Sequence, residues 1–224
     1  MRIAKLRYLV LLVSFLAMVS CKADMAILVY VNDILDLLSA KSGTIQTKAT
    51  VQIEIPSQDS AEQILTVLQR YFKSVDNTKT ISKDMSTFLS FTTTFPLTYL
   101  GPGGGDRTSD DMVLLILLDT EESGPILEIA LNKNQLANLN TYIKDQYYQS
   151  ITVEEMSFSI TINNDTRNDF KVRAQAAYLN DKPSPFLREL VLKKREDLNI
   201  RFSDVLRDSL KDDEETPVAQ FPPK

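Results

Sequence analysis

The chain has 224 residues, with 25 Lys+Arg against 30 Asp+Glu and a formal net charge of −5. That acidic balance lacks the basic stripe or patch of a nucleic-acid binder. With no histidine and a single cysteine, the chain has no Ser-His-Asp or Cys-His catalysis, histidine-ligated metal, disulfide or dithiol redox pair. No Ser-x-x-Lys sequence occurs, so that type of serine nucleophile is also missing. Two-carboxylate chemistry survives these exclusions, but the chain has no tryptophan to stack on a sugar. The expectation is a protein with no catalytic, cofactor or metal residues.

The N-terminus carries Arg2, Lys5 and Arg7 and no acid, followed by an apolar run from Tyr8 to Val19 interrupted only by Ser14. A basic end, a short apolar core and a small residue before a cut are the layout of a secretory signal. The run has 12 positions, whereas a spanning helix needs about 20. Residues 1–20 therefore read as a cleaved signal peptide. Leu16-Ala17-Met18-Val19-Ser20-Cys21 resembles a lipobox, with Met18 where leucine is usual. The resemblance implies a diacylglycerol on the Cys21 thiol and a further acyl chain on its freed amine. Several chains hold a protein stably where one holds it marginally. Lys22 after the cysteine resembles the outer-membrane sorting pattern. Removing residues 1–20 takes three basic residues and no acid, leaving 22 Lys+Arg, 30 Asp+Glu and a net charge of −8.

Met25 to Val31 is continuously apolar and reads as a strand buried on both faces. Asn32 or Asp33 is placed to cap a helix running to Ala40, ended by Ser42-Gly43. Thr44 to Ile55 alternates, with Ile45, Thr47, Ala49, Val51, Ile53 and Ile55 on one face, which predicts a strand with one wet side. Asp59 or Ser60 can cap the next helix, whose apolar positions Ala61, Ile64, Leu65, Leu68, Tyr71 and Phe72 share a stripe. Ser74 to Lys83 reads as a loop, and Met85 onward as a strand ending near Pro96. Gly101 to Asp106 lacks the second glycine and the Gly-Lys-Ser/Thr of a phosphate loop, so it reads as a flexible connection. Met112–Leu118 and Pro125–Leu131 predict a hairpin. Asn132 then caps a helix to Tyr147, with Tyr142, Tyr147 and Tyr148 as packing or patch residues.

Val153–Ile162 and Asp169–Tyr178 both alternate around the turn cluster Asn163 to Asn168, which predicts a second hairpin. Within that cluster, Asn164-Asp165-Thr166 matches a glycosylation sequon. Phe186–Leu192 and Leu198–Phe202 read as further strands, and Ser203 caps a last helix to about Leu210. Lys211 to Lys224 is acidic and then proline-rich, and reads as disordered. The expected class is α+β: mostly antiparallel sheet, three to four short helices and a sheet-rich C-terminal third. The expected division is signal peptide 1–20, α+β domain 21–150, β-rich subdomain 151–210 and tail 211–224.

Several of these segments together resemble a family of small lipoproteins encoded by phages and other mobile elements of Gram-negative bacteria. They are the lipobox, Ala23 to Ile34, Ile55-Pro56-Ser57, Asn164-Asp165-Thr166 and Tyr178 to Pro183. The resemblance covers most of the chain outside residues 74–124, and it implies an envelope setting without implying a reaction. The function expected is a periplasm-facing lipoprotein, held to the outer membrane by lipid on Cys21, that binds another envelope protein. Exclusion of competing phages or plasmids, and hydrolysis of envelope glycans by paired carboxylates, are the alternatives.

Overall fold

The computed structural model describes residues 20–102, 109–120, 123–212 and 215–222. The signal segment, Gly103 to Asp106 of the glycine-rich connection, and the lipobox residues before Ser20 lie outside them.

In chain order the elements are β1 (Ser20–Tyr30), α1 (Val31–Ala40), β2 (Thr44–Ile55), a 3-10 turn (Gln58–Ser60), α2 (Ala61–Leu68), β3 (Asp76–Lys83) and β4 (Ser86–Leu100). There follow β5 (Val113–Leu118), β6 (Ile126–Leu131), α3 (Lys133–Tyr147), β7 (Ser150–Asn163), β8 (Phe170–Ala174) and β9 (Ala177–Leu179). β10 (Lys182–Ser184), β11 (Arg188–Leu192), β12 (Asp197–Phe202), α4 (Asp204–Asp212) and β13 (Thr216–Gln220) complete the described chain. The class is the α+β one expected.

All thirteen strands join one sheet, ordered β10-β9-β12-β7-β1-β2-β4-β5-β6-β13-β8-β11, with β3 branching from β4. Only β1–β7 and β4–β5 run parallel. The two strands at the ends of that order, β10 and β11, are consecutive in the chain and joined by residues 185–187. Such a link reaches roughly 14 Å at full stretch, so the sheet curls until its edges nearly meet. Inward-facing residues of the strands and the buried faces of all four helices form one core. Phe72, just past α2, packs edge-on to Phe91 of β4 at 5.0 Å between ring centres.

β2 alternates as the sequence predicts, with Thr47, Ala49, Val51, Ile53 and Ile55 buried. β4 continues past Pro96 instead of stopping there. Tyr99 donates its N–H to the Gly43 carbonyl across β2, so the odd-numbered N–H groups of this stretch face β2. Pro96 therefore turns its missing donor to the other side. There β3 has ended opposite Thr92 and β5 has not begun until Leu97. Proline is tolerated where no ladder bond is required of it. The stretch expected to be a loop, Ser74 to Lys83, contains β3. It lies on the sheet's margin with most of its residues exposed, so it has no apolar face to betray it in sequence.

Two further expectations are corrected. Residues 153–162 and 169–178 do not form a hairpin: both edges of β7 are occupied, by β1 and β12, while β8 pairs with β11 and β13. Positive φ at Ala176 also splits the second segment into β8 and β9. The tail is not disordered through its length, because β13 lies between β6 and β8. The sheet also runs across residue 150 without a break, since β7 lies beside β1. The β5–β6 hairpin forms as expected.

The helix caps differ in kind. Asn132 accepts the Gln135 N–H and starts α3 as predicted, and Ser203 accepts the Leu206 N–H at 3.2 Å to start α4. α1 begins at Val31 with Tyr30 in the cap position, at least two residues earlier than predicted, and the side chain that caps it comes from far away in sequence. The Asp165 carboxylate accepts the backbone N–H of Asn32 at 3.0 Å and its side-chain amide at 2.9 Å. A carboxylate satisfies an orphan first-turn donor and complements the positive helix end.

Candidate functional site: the Cys21 end and a threonine-lined groove

Cys21 stands at the start of β1, 2% exposed. Its thiol donates to Gln149 Oε1 at 3.2 Å. Burial first, and the Glu54 charge second, push the thiol up to about 12. It is therefore protonated and unreactive as packed, because the thiolate is the nucleophile. Ser20 and Cys21 pair with Ser150 and Ile151; the register then jumps, and Ala23 pairs with Met156. The first two residues are thus paired apart from the ladder that resumes at Ala23.

Around that step one end of the sheet is linked by hydrogen bonds. Glu54 of β2 accepts the Lys22 backbone N–H at 3.1 Å and the Ser86 hydroxyl at 2.5 Å. Ser86 follows Met85 at the β3–β4 turn. On the other flank, Gln149 follows Tyr148, the left-handed residue that closes α3.

A groove of about 840 Å³ opens on the outer face of the same sheet. Two neighbouring rungs build its floor. One runs Ala26, Thr50, Thr92 across β1, β2 and β4; the other runs Thr161, Leu28, Lys48, Thr94 across β7, β1, β2 and β4. Rungs two residues apart along a strand share a face. Small Ala26 and the threonines leave a depression. Its wall comes from Asp76 and Asn77, with the Asn77 amide donating to the Thr92 hydroxyl at 3.0 Å and that hydroxyl donating to the Asp76 carbonyl at 3.2 Å. Its polar lining is mainly hydroxyls, with one ammonium and one carboxylate side chain, so it can donate and accept hydrogen bonds along an extended polar ligand.

Sequence reasoning missed this groove. The continuous apolar run through β1 reads as a strand covered on both sides, yet Ala26 is exposed and Leu28 half-buried. Threonine density in Thr92-Thr93-Thr94, paired with Thr50, was the available signal. A second groove of about 670 Å³ is lined by Asp110, Asp111, Asn132, Lys133 and Glu215 among others, beside the start of α3. Among the described residues no cluster of three or more His, Cys, Asp or Glu could hold a metal ion, and no helix is long and apolar enough to cross a membrane.

The other singled-out residues are placed as follows. Lys41-Ser42-Gly43 turns α1 into β2, with Lys41 and Gly43 at positive φ. Tyr147 donates to Gln63 Oε1 at 3.1 Å and Gln63 donates to the Tyr142 hydroxyl at 3.4 Å, so these two tyrosines tie α3 to α2. Tyr148 remains 86% exposed. Asn164 of the sequon is 0% exposed, which closes it to a glycan in the folded chain.

A family described as "Domain of unknown function (DUF7424)" matches residues 23–224. The match takes in nearly all of the chain after Cys21, and the chain belongs to that family. No curated protein and no solved structure matches it.

Proposed function

Starting from that membership and from the geometry of the Cys21 end, we propose a lipoprotein of the bacterial envelope. It is acylated on Cys21, held to the periplasmic face of the outer membrane, and binds another envelope component without catalysing a reaction. The observation that carries the reading is the position of the only cysteine. It follows a basic-apolar leader and lies in a two-residue step of β1 that a register break sets apart from the rest of the strand. A thiol packed against Gln149 has no room for a diacylglycerol, so acylation requires Ser20 and Cys21 to leave β7, which the register break permits. The threonine-lined groove is the binding surface, because it offers many hydrogen-bonding groups and no pair of carboxylates. The acids of the second groove favour a carboxylate-based glycan hydrolase as the alternative. Release of reducing sugar from envelope glycans would select it.

Cys21→Ala is expected to abolish incorporation of labelled fatty acid and to leave the precursor uncut or free of the membrane. Retention of that variant in the membrane fraction at the wild-type level would defeat the anchor. Thr50→Arg places a long side chain across the groove floor and should change stability by no more than about 0.5 kcal/mol, as surface substitutions usually do. It should remove whatever crosslinks in the native host to a photoreactive residue at Thr94. Unchanged crosslinking would show that the groove is not the binding surface.

A further inference from the structure

We infer that the end of the sheet bearing Cys21 is a docking face for the bilayer interface, seated there by Met85 and Tyr148; this rests on the anchor proposed above. Both side chains stand out to solvent, with relative exposures of 107% and 86%. Both occupy backbone positions that disfavour them. Asp84 and Met85 have φ of 50° and 64° between the paired residues Lys83 and Ser86, the signature of a two-residue turn whose second position prefers glycine. Tyr148, at φ 56°, closes α3 where glycine or asparagine is cheapest. Neither side chain repays that strain by packing inside the fold.

Their common neighbour is the anchor. Met85 leads through Ser86 and Glu54 to Lys22, and Tyr148 leads through Gln149 to the Cys21 thiol. A lipid on Cys21 leaves only Cys21 and Lys22 between the bilayer and the ladder that resumes at Ala23, so this end is held at the headgroups and any apolar contact there becomes intramolecular. Tyrosine suits that boundary, with an apolar ring and a polar tip, and a flexible thioether fills irregular apolar surroundings. Lys22, Lys83 and Lys211 share the end with Glu54, Asp84, Glu154 and Glu155, so attraction to anionic lipid is not what seats it. The contact is apolar and forms on zwitterionic phosphatidylcholine, which has no net charge.

The chain has no tryptophan, so one introduced residue reports alone. The test uses the mature acylated protein carrying Tyr148→Trp, Met85→Trp or Arg167→Trp, reconstituted in phosphatidylcholine vesicles with brominated acyl chains. Arg167 is exposed just beyond the opposite end of β7, roughly 30 Å away at the rise of a strand. Loss of emission from Tyr148→Trp and Met85→Trp, with emission kept by Arg167→Trp, is the expected result. Vesicles that carry the protein while all three emit alike would overturn the docking face and leave the anchor standing. A protein with no acyl label that stays in solution would overturn the anchor and the docking face together. Far-ultraviolet circular dichroism matching wild type shows that each variant is folded.

Discussion

A chain ending at Asp212 should fail to form this sheet, showing no cooperative urea transition, whereas one ending at Pro222 should unfold as the full chain does. β13 fills the slot between β6 and β8. Thr216, Val218, Ala219 and Phe221 are each 4% exposed or less. The Phe221 N–H bonds the Pro125 carbonyl at 2.8 Å, and its ring lies 5.5 Å from that of Phe170. Burying a valine and a phenylalanine is worth about 1.5–3 kcal/mol each. Two strand edges would also lose their partner. The total approaches the whole stability of a typical domain, about 5–15 kcal/mol. A shortened chain with a native midpoint would show β13 to be an accessory rather than a member of the sheet.

Asn164→Ala should lower the unfolding free energy by about 2–5 kcal/mol, because one buried and three partly buried hydrogen bonds are lost at once, each worth about 0.5–1.5 kcal/mol net. The Asn164 amide donates to the Asn168 and Leu192 carbonyls at 2.8 and 2.9 Å. Its side-chain oxygen accepts the Thr166 N–H and hydroxyl at 3.2 and 2.7 Å. Its backbone meanwhile pairs with Glu196 and Arg195. The residue therefore holds the β7–β8 connection against the turn between β11 and β12. The neighbouring Asp165 depends on that placement to cap α1, so the variant should also lose helical signal. Equilibrium urea unfolding measures the first effect. A loss below about 1 kcal/mol, the worth of one ordinary hydrogen bond, would mean that the junction is held by something else.

Local features were legible. The alternation of Thr44 to Ile55, the Asn132 and Ser203 caps and the β5–β6 turn all declare themselves within a few residues. Partnerships between distant segments were not. Residues 153–162 and 169–178 look like a hairpin because an alternating pair around a turn cluster is the local signature of one. Nothing in either segment says that β1 and β12 take the edges of β7 first. The tail looks disordered because Pro217, Pro222 and Pro223 and its acids dominate the composition. Its few apolar residues acquire meaning only opposite β6 and β8, and Pro217 sits at a register shift where its missing N–H is harmless. Of the candidate site, Cys21 was legible as a motif. The groove was not, because its floor is drawn from four strands that the sequence cannot set side by side. Asn164-Asp165-Thr166 was legible as a motif with the wrong meaning, since a sequon and a buried turn use the same three residues.

The closing of the sheet bears on when the chain can fold. β1 needs β7, more than a hundred residues away, and β6 and β8 wait for residues 216–220. Structures built from such distant pairings fold slowly, because loop closure must precede the contacts that reward it. Native structure cannot be complete while residues 216–220 remain in a ribosome or a secretion channel. A chain read as exported thus stays threadable until its last strand emerges, and the topology itself delays folding for as long as transit lasts.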